Sequence, residues 1–127
     1  MFVFANFEYI YLYNKVEKSK VDIVGFNIFD VKKNKTIKCR YFNEILHQPI
    51  LFESIFINYY IEDYTIWNKL IKKEIFLNAY EDFKSEISKW KWNYFEDDIW
   101  NILVHRNAKS KISFDKLVYI YNSNNNS

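Results

Sequence analysis

Residues 2–13 (FVFANFEYIYLY) place aromatic and β-branched side chains at nearly every position, the composition of a strand. Residues 21–29 (VDIVGFNIF) and 36–42 (TIKCRYF) have the same character. The run Asp30–Lys35 (DVKKNK) between them supplies turn residues, so the second and third segments predict a β-hairpin. Gly25, inside a strand, marks a bulge or a close backbone approach. The first third of the chain therefore predicts an antiparallel meander.

From residue 43 the period lengthens. Asn43 to His47 predict a short turn, and Pro49 suits the opening of a helix over 49–62. Ile66, Trp67, Leu70 and Ile71 form a helical stripe. Phe76, Tyr80, Phe83, Ile87 and Trp90 recur at three- and four-residue spacing, the clearest amphipathic helix in the chain. Asn93–Glu96 resembles a capping box, with Asn in the Ser/Thr position, and opens a helix through Val104 that buries Phe95, Ile99, Ile102 and Leu103. Residues 113–121 read either as a last helix starting at Ser113 or, over Leu117 to Tyr121, as a strand. The sum is one α+β domain over residues 1–121, an N-terminal antiparallel β-meander of about three strands followed by a packed layer of three to five helices. The polar tail 122–127 is expected to be disordered.

Length and composition bound this picture without naming a chemistry. A chain of 127 residues builds a real core without metals or disulfides. It carries 12 Phe, 11 Tyr and 4 Trp, more ring surface than one small core encloses, so some rings are expected at the surface, where Tyr and Trp favour interfaces. Phe, Tyr, Ile, Asn and Lys make up over half of the residues, and all five are encoded by AT-rich codons. Part of the aromatic excess is therefore base composition rather than task. The lone Cys39 rules out an internal disulfide and suits a reducing compartment. Residues 1–13 carry no basic leader, and the longest apolar stretch, Ile50 to Ile61, is well short of the roughly 20 residues a membrane span needs. A soluble, cytoplasmic protein is expected. Because that stretch is apolar almost all round, its pattern fits both a core helix and part of a dimer face.

Charge is segregated behind a net value of +2. Lys32, Lys33, Lys35, Lys38 and Arg40 follow one another without an acid; Glu44, Glu53, Glu62 and Asp63 follow without a base. Glu96, Asp97 and Asp98 form an acidic run, and Arg106, Lys109, Lys111 and Lys116 make the C-terminus basic. Such blocks steer complementary partners, while a solvated hairpin tip and a helix N-terminus explain the same residues more plainly. Alternation of sign argues against one continuous nucleic-acid footprint.

The residue types that build enzyme sites are scarce. One glycine excludes the Gly-rich loops that let backbone amides cradle phosphate. Asp98 and His105 lie two helical turns apart, about 10 Å, too far to ligate one ion together, and no Cys/His spacing suits zinc. No metal and no cofactor are expected. Cys39, placed in a strand, reads as a small buried hydrophobe rather than a nucleophile served by His47 or His105, and His105 at a helix end reads as an imidazolium complementing the dipole. Lys89-Trp90-Lys91-Trp92 interleaves cations with indoles, a pattern for base stacking or a membrane surface. The plainer reading makes Trp90 the end of the buried stripe and the lysines a complement to the helix C-terminus.

These observations point to a small binding protein that is not an enzyme and that neutralises a protein partner. Glu44, Glu53, Glu62, Asp63, Glu96, Asp97 and Asp98 are the acids available to meet a basic nuclease surface, and Tyr59, Tyr60, Tyr64 and Tyr94 the anchors beside them. In size, AT-rich composition and lack of a catalytic motif the chain resembles the small immunity proteins of bacterial contact-dependent growth inhibition systems. That resemblance implies a cognate toxin domain, often a nuclease, bound one to one. Its net charge of +2 departs from the acidic balance common in inhibitors of cationic nucleases. Two other classes fit: a nucleic-acid or membrane-surface module using Lys32–Arg40, Lys89–Trp92 and the basic C-terminus, and a phage or viral host-interaction protein.

Overall fold

A computed structural model describes residues 2–4, 14, 20–57, 60–61, 65–66, 68–89 and 96–121. At its centre lie two long strands, β2 (Ile23–Asp30) and β8 (Ser110–Tyr121), paired in parallel from Ile23↔Lys111 to Asp30↔Tyr121. Short antiparallel strands fill the two outer edges. β1 (Phe2–Phe4) and β4 (Leu46–His47) pair with opposite ends of β8, while β3 (Lys35–Ile37) and β7 (Lys69–Ile71) pair with opposite ends of β2. A separate two-stranded ribbon joins β5 (Phe56–Ile57) to β6 (Tyr60–Ile61). Among the described residues three helices of a turn or more accompany the sheets: α1 (Ile50–Glu53), α2 (Lys73–Lys89) and α3 (Glu96–Asn107).

The fold is α+β, but it is not a meander followed by a helical layer. The C-terminal segment, for which helix and strand were both open, is a strand and lies in the middle of the sheet beside β2. A strand buried on both faces needs apolar residues in succession rather than alternation. β2 has this pattern, with Ile23, Val24, Phe26 and Ile28 at 2% exposure or less.

The two faces of β2 feed two cores. Val24, Phe26 and Ile28 join Val21 and Val118 on one side, with Ile112 and Phe114 packed against them. Ile23 on the other side joins Leu46 and the helical residues Leu51, Ile75, Ala79, Leu103 and Val104. Each fully buried Ile or Leu here contributes about 1.5–3 kcal/mol by leaving water.

The hairpin and α2 form where the pattern puts them. Asp30 accepts a hydrogen bond from Lys33 N at 3.2 Å, and Asn34, at φ 50°, turns the chain back into β3. Gly25 is a site of close approach, next to a register shift between β2 and β8. The strand expected at 36–42 stops at Ile37: Cys39 N donates to the Asn27 side chain instead of the β2 backbone, and Tyr41 and Asn43 then take up left-handed conformations.

Two expected helical segments differ. The helix at 49–62 lasts only from Ile50 to Glu53: Ser54 Oγ donates to Leu51 O at 2.6 Å, and the β-branched and aromatic residues that follow enter β5. The stripe at 66–71 is strand β7, whose Lys69–Ile71 pair with Ile23–Gly25. Here the partner edge of β2 overrides the helical spacing. Lys69 is buried and donates to Thr65 O and to Asn68 Oδ1, which pins the start of that strand. The helix predicted at 93–104 is present over Glu96–Asn107, three residues further than expected, while residues 93–95 of its expected capping box lie outside the described residues. Of the first predicted strand, residues 5–13 lie outside the described residues, as does the tail 122–127. Among the described residues no helix is long and apolar enough to cross a membrane.

Candidate protein-binding face

α2 and α3 pack side by side and bring four rings together. Trp100 of α3 stacks with Phe76, Tyr80 and Phe83 of α2 at centroid distances of 5.1, 6.0 and 4.5 Å, with interplanar angles of 5°, 18° and 15°. Positions 76, 80 and 83 are separated by four and three residues, so one helix face delivers all three rings to one indole. Each such contact contributes about 0.5–1.5 kcal/mol beyond area burial.

Half of this cluster stands outside the core, while Phe83 and Trp100 are half-buried and pack against it. Phe76, Leu77 and Tyr80 are 42%, 48% and 42% exposed, whereas Ile75 and Ala79 of the same helix are buried. The sequence expectation that Phe76 and Tyr80 form the buried stripe is therefore corrected. The buried line runs one residue earlier, through Ile75 and Ala79, because Ala79 lets the helix backbone lie close against Leu103 and Val104. The signal was present: a small residue flanked by rings marks the closest approach of a helix to its neighbour. The expected buried face of α3 shifts as well. Leu103 is buried, Ile99 and Ile102 only half so, and Asn101, Val104 and His105 are fully enclosed.

Lys84 adjoins the rings, and further polar groups tie the two helices together. Lys84 lies 5.1 Å from the Tyr80 ring centroid and pairs with Glu81 at 3.2 Å. Asp82 accepts from Asn107 Nδ2 at 2.9 Å and from Arg106 at 3.4 Å, tying the middle of α2 to the end of α3. The Asn107 hydrogen bond and, less strongly, the Arg106 guanidinium hold the Asp82 carboxyl below the ordinary aspartate range.

Hydrogen bonds from Gln48 and within the core fix the C-terminal end of α3. Gln48 Nε2 donates to His105 O and Ala108 O, both at 2.8 Å, satisfying carbonyls left over at the helix end. Its Oε1 accepts from Phe52 N at 3.1 Å and so links α1 to α3. His105 is fully buried, with Nδ1 2.8 Å from Asn101 O and Nε2 2.9 Å from Lys111 Nζ. Asn101 O can only accept, so Nδ1 carries a proton, which leaves Nε2 to accept from Lys111 Nζ. Two expectations are corrected: His105 is enclosed between Asn101 and Lys111 rather than displayed at the helix end, and Lys111 does not belong to an exposed basic block.

Of the residues singled out from the sequence, those described lie on several elements. Glu44 and Glu53 are exposed, on the segment before β4 and on α1. Glu96 and Asp97 open α3, and Asp98 is half-buried one residue further on. Tyr60 lies in β6, while Tyr59, Glu62, Asp63, Tyr64 and Tyr94 lie outside the described residues, as do residues 90–92 of the Lys-Trp motif. Cys39 is buried, its thiol shared between Asn27 Oδ1 at 3.4 Å and Phe114 O at 3.3 Å. Among the described residues no cluster of three or more His, Cys, Asp or Glu is gathered to hold a metal.

No protein-family model matches the chain, and neither a curated protein nor a solved structure does. The functional reading therefore rests on the surface itself.

Proposed function

We propose that this chain is a small stoichiometric binding protein that acts on a protein partner through the exposed aromatic face of α2 and α3, with Trp100, Tyr80, Phe76 and Leu77 at its centre. The observation that carries the reading is the combination of four clustered rings with 42–48% exposure at Phe76, Leu77 and Tyr80. Apolar surface exposed on a rigid pair of helices, with Lys84 beside it and Glu81, Asp82 and Arg106 on the same two helices, has the anatomy of a protein interface: aromatic centre, charged neighbours. Hot spots in such interfaces are enriched in Trp and Tyr. The acidic run Glu96–Asp98 opens the same helix that carries Trp100, which suits a partner with a basic rim.

The kind of partner we favour is a toxin domain whose activity the chain blocks by occupancy, in line with the resemblance to immunity proteins. The chain then supplies surface and no catalytic group. The direct test is titration of a purified partner by calorimetry against the wild-type chain and a Leu77→Glu/Tyr80→Glu variant. A stoichiometry near one, weakened by about 100-fold in the variant, supports the reading. Equal affinity for both proteins contradicts it.

A further inference from the structure

A second surface, at the other end of the chain's charge pattern, is not used by the aromatic face. Between Val31 and Asn43 every formal charge is positive, and Lys32, Lys33, Lys35, Lys38 and Arg40 are all exposed. The nearest carboxylate on the hairpin, Asp30, is buried at 4% exposure and engaged by the backbone of its own turn. Two exposed carboxylates border the loop: Asp115, which accepts at 2.6 Å from the same Asn27 side chain that holds Cys39 N, and Glu44, which follows Asn43.

The cations share their surface with two rings. Lys38, Cys39, Arg40, Tyr41 and Phe42 line one open depression of about 540 Å³. Tyr41 and Phe42 are 47% and 36% exposed. The loop that presents them is fastened at both ends: Cys39 N donates to Asn27 Oδ1 at 3.0 Å, and Asn43 N donates to Ser113 O at 2.7 Å. Between these ties Tyr41 is held at φ 57°, a conformation that bulky residues rarely adopt. Such outliers persist where the surroundings over-determine them, and they cluster at binding sites.

We infer that the β2–β3 hairpin and the loop after it form a binding site for single-stranded nucleic acid. Lys32, Lys33 and Lys35 meet phosphates along the hairpin, Lys38 and Arg40 hold the backbone at the depression, and Tyr41 and Phe42 offer faces to unstacked bases. Cations alone would suit any polyanion. Rings lining the same depression as the cations favour a ligand that alternates charge with flat aromatic surface, and a single strand does so where a duplex keeps its bases stacked. This inference uses a different surface from the protein-binding face and stands independently of it.

The test is fluorescence anisotropy on the full chain, with a labelled thymidine oligonucleotide of about 12 residues, its duplex, and an oligoglutamate peptide as probes. Affinity for the single strand is expected to fall about 100-fold between roughly 50 and 200 mM salt, as release of counterions from about five phosphates requires. Lys38→Glu/Arg40→Glu should weaken it more than about tenfold, and Tyr41→Gly, which removes the ring where glycine accepts the backbone, by about fivefold or more. Leu77→Glu/Tyr80→Glu should leave it unchanged. Circular dichroism confirms that each variant is folded. The inference is overturned if the single strand fails to bind at low salt, if charge reversal has no effect, or if duplex or oligoglutamate binds as tightly and Tyr41→Gly is silent.

Discussion

Gly25 of β2 and Ser113 of β8 face each other across the parallel pair at a distance that leaves no room for a methyl group. A Cβ on residue 25 would stand 2.7 Å from Ser113 Oγ and 3.3 Å from both Ser113 Cβ and Cys39 Cβ. The only glycine in the chain is thus placed beside the register shift between the two central strands. Gly25→Ala should destabilise the protein by about 1–3 kcal/mol through overpacking. A Ser113→Gly change in the same chain should restore part of that loss. Urea unfolding of the three variants checks this, and an unchanged midpoint for Gly25→Ala would show that the strands are not in contact there.

Tyr41 offers a separate test of backbone geometry. At φ 57° an alanine suffers the same steric conflict as a tyrosine, whereas glycine does not. Tyr41→Gly should therefore be more stable than Tyr41→Ala by about 1 kcal/mol, the reverse of the order in an ordinary strand. Thermal unfolding of both variants measures the difference.

The contact between Lys111 and His105 fixes the tautomer of a buried ring. Long-range proton–nitrogen spectra should show His105 protonated at Nδ1 and bare at Nε2, because Nε2 accepts from Lys111 at 2.9 Å. Lys111→Met leaves Nε2 without that donor inside the core and should cost about 1–3 kcal/mol. A doubly protonated ring in the wild type would contradict the arrangement.

Asp82 couples α2 to α3 in a pH-dependent way. Its carboxyl is held below the ordinary range by Asn107 and Arg106, so the charged form is the one favoured by folding. The contribution is complete above the unfolded-state value, near pH 4, and is lost as the pH falls through the folded-state value. With side chains 50% and 40% exposed, the Arg106–Asp82 pair is well screened, and the effect should not exceed about 0.5 kcal/mol. Carboxyl titration by nuclear magnetic resonance should show Asn107→Ala raising the Asp82 value, with a smaller rise for Arg106→Gln.

The local features of the fold were readable from the chain, and the long-range ones were not. DVKKNK between two apolar runs specifies a hairpin by its own turn chemistry, and α2 announces itself by spacing. The fate of Lys69–Ile71 depends on a free edge at Ile23–Gly25, more than 40 positions away, which no local period encodes. Residues 113–121 carried mixed signals because Asp115 and Lys116, exposed where the register against β2 shifts, interrupt the apolar run of β8. The candidate interface was hidden for a different reason. Phe76 and Tyr80 look like core by hydrophobicity, and the smaller Ala79 takes their place against α3. The basic hairpin was plain in the sequence, but Tyr41 and Phe42 joined it only once the backbone turned at residue 41.

The central claim is that the aromatic face of α2 and α3 binds a protein. The most direct measurement is a parallel capture from native cells treated with nuclease, using the wild-type chain, Leu77→Glu/Tyr80→Glu and Lys38→Glu/Arg40→Glu, followed by quantitative mass spectrometry and reconstitution with the purified candidate. We expect one protein that the wild type and the hairpin variant retain, that the face variant loses, and that rebinds one to one when purified. A partner retained equally by the face variant, or no partner that survives nuclease, would contradict the claim.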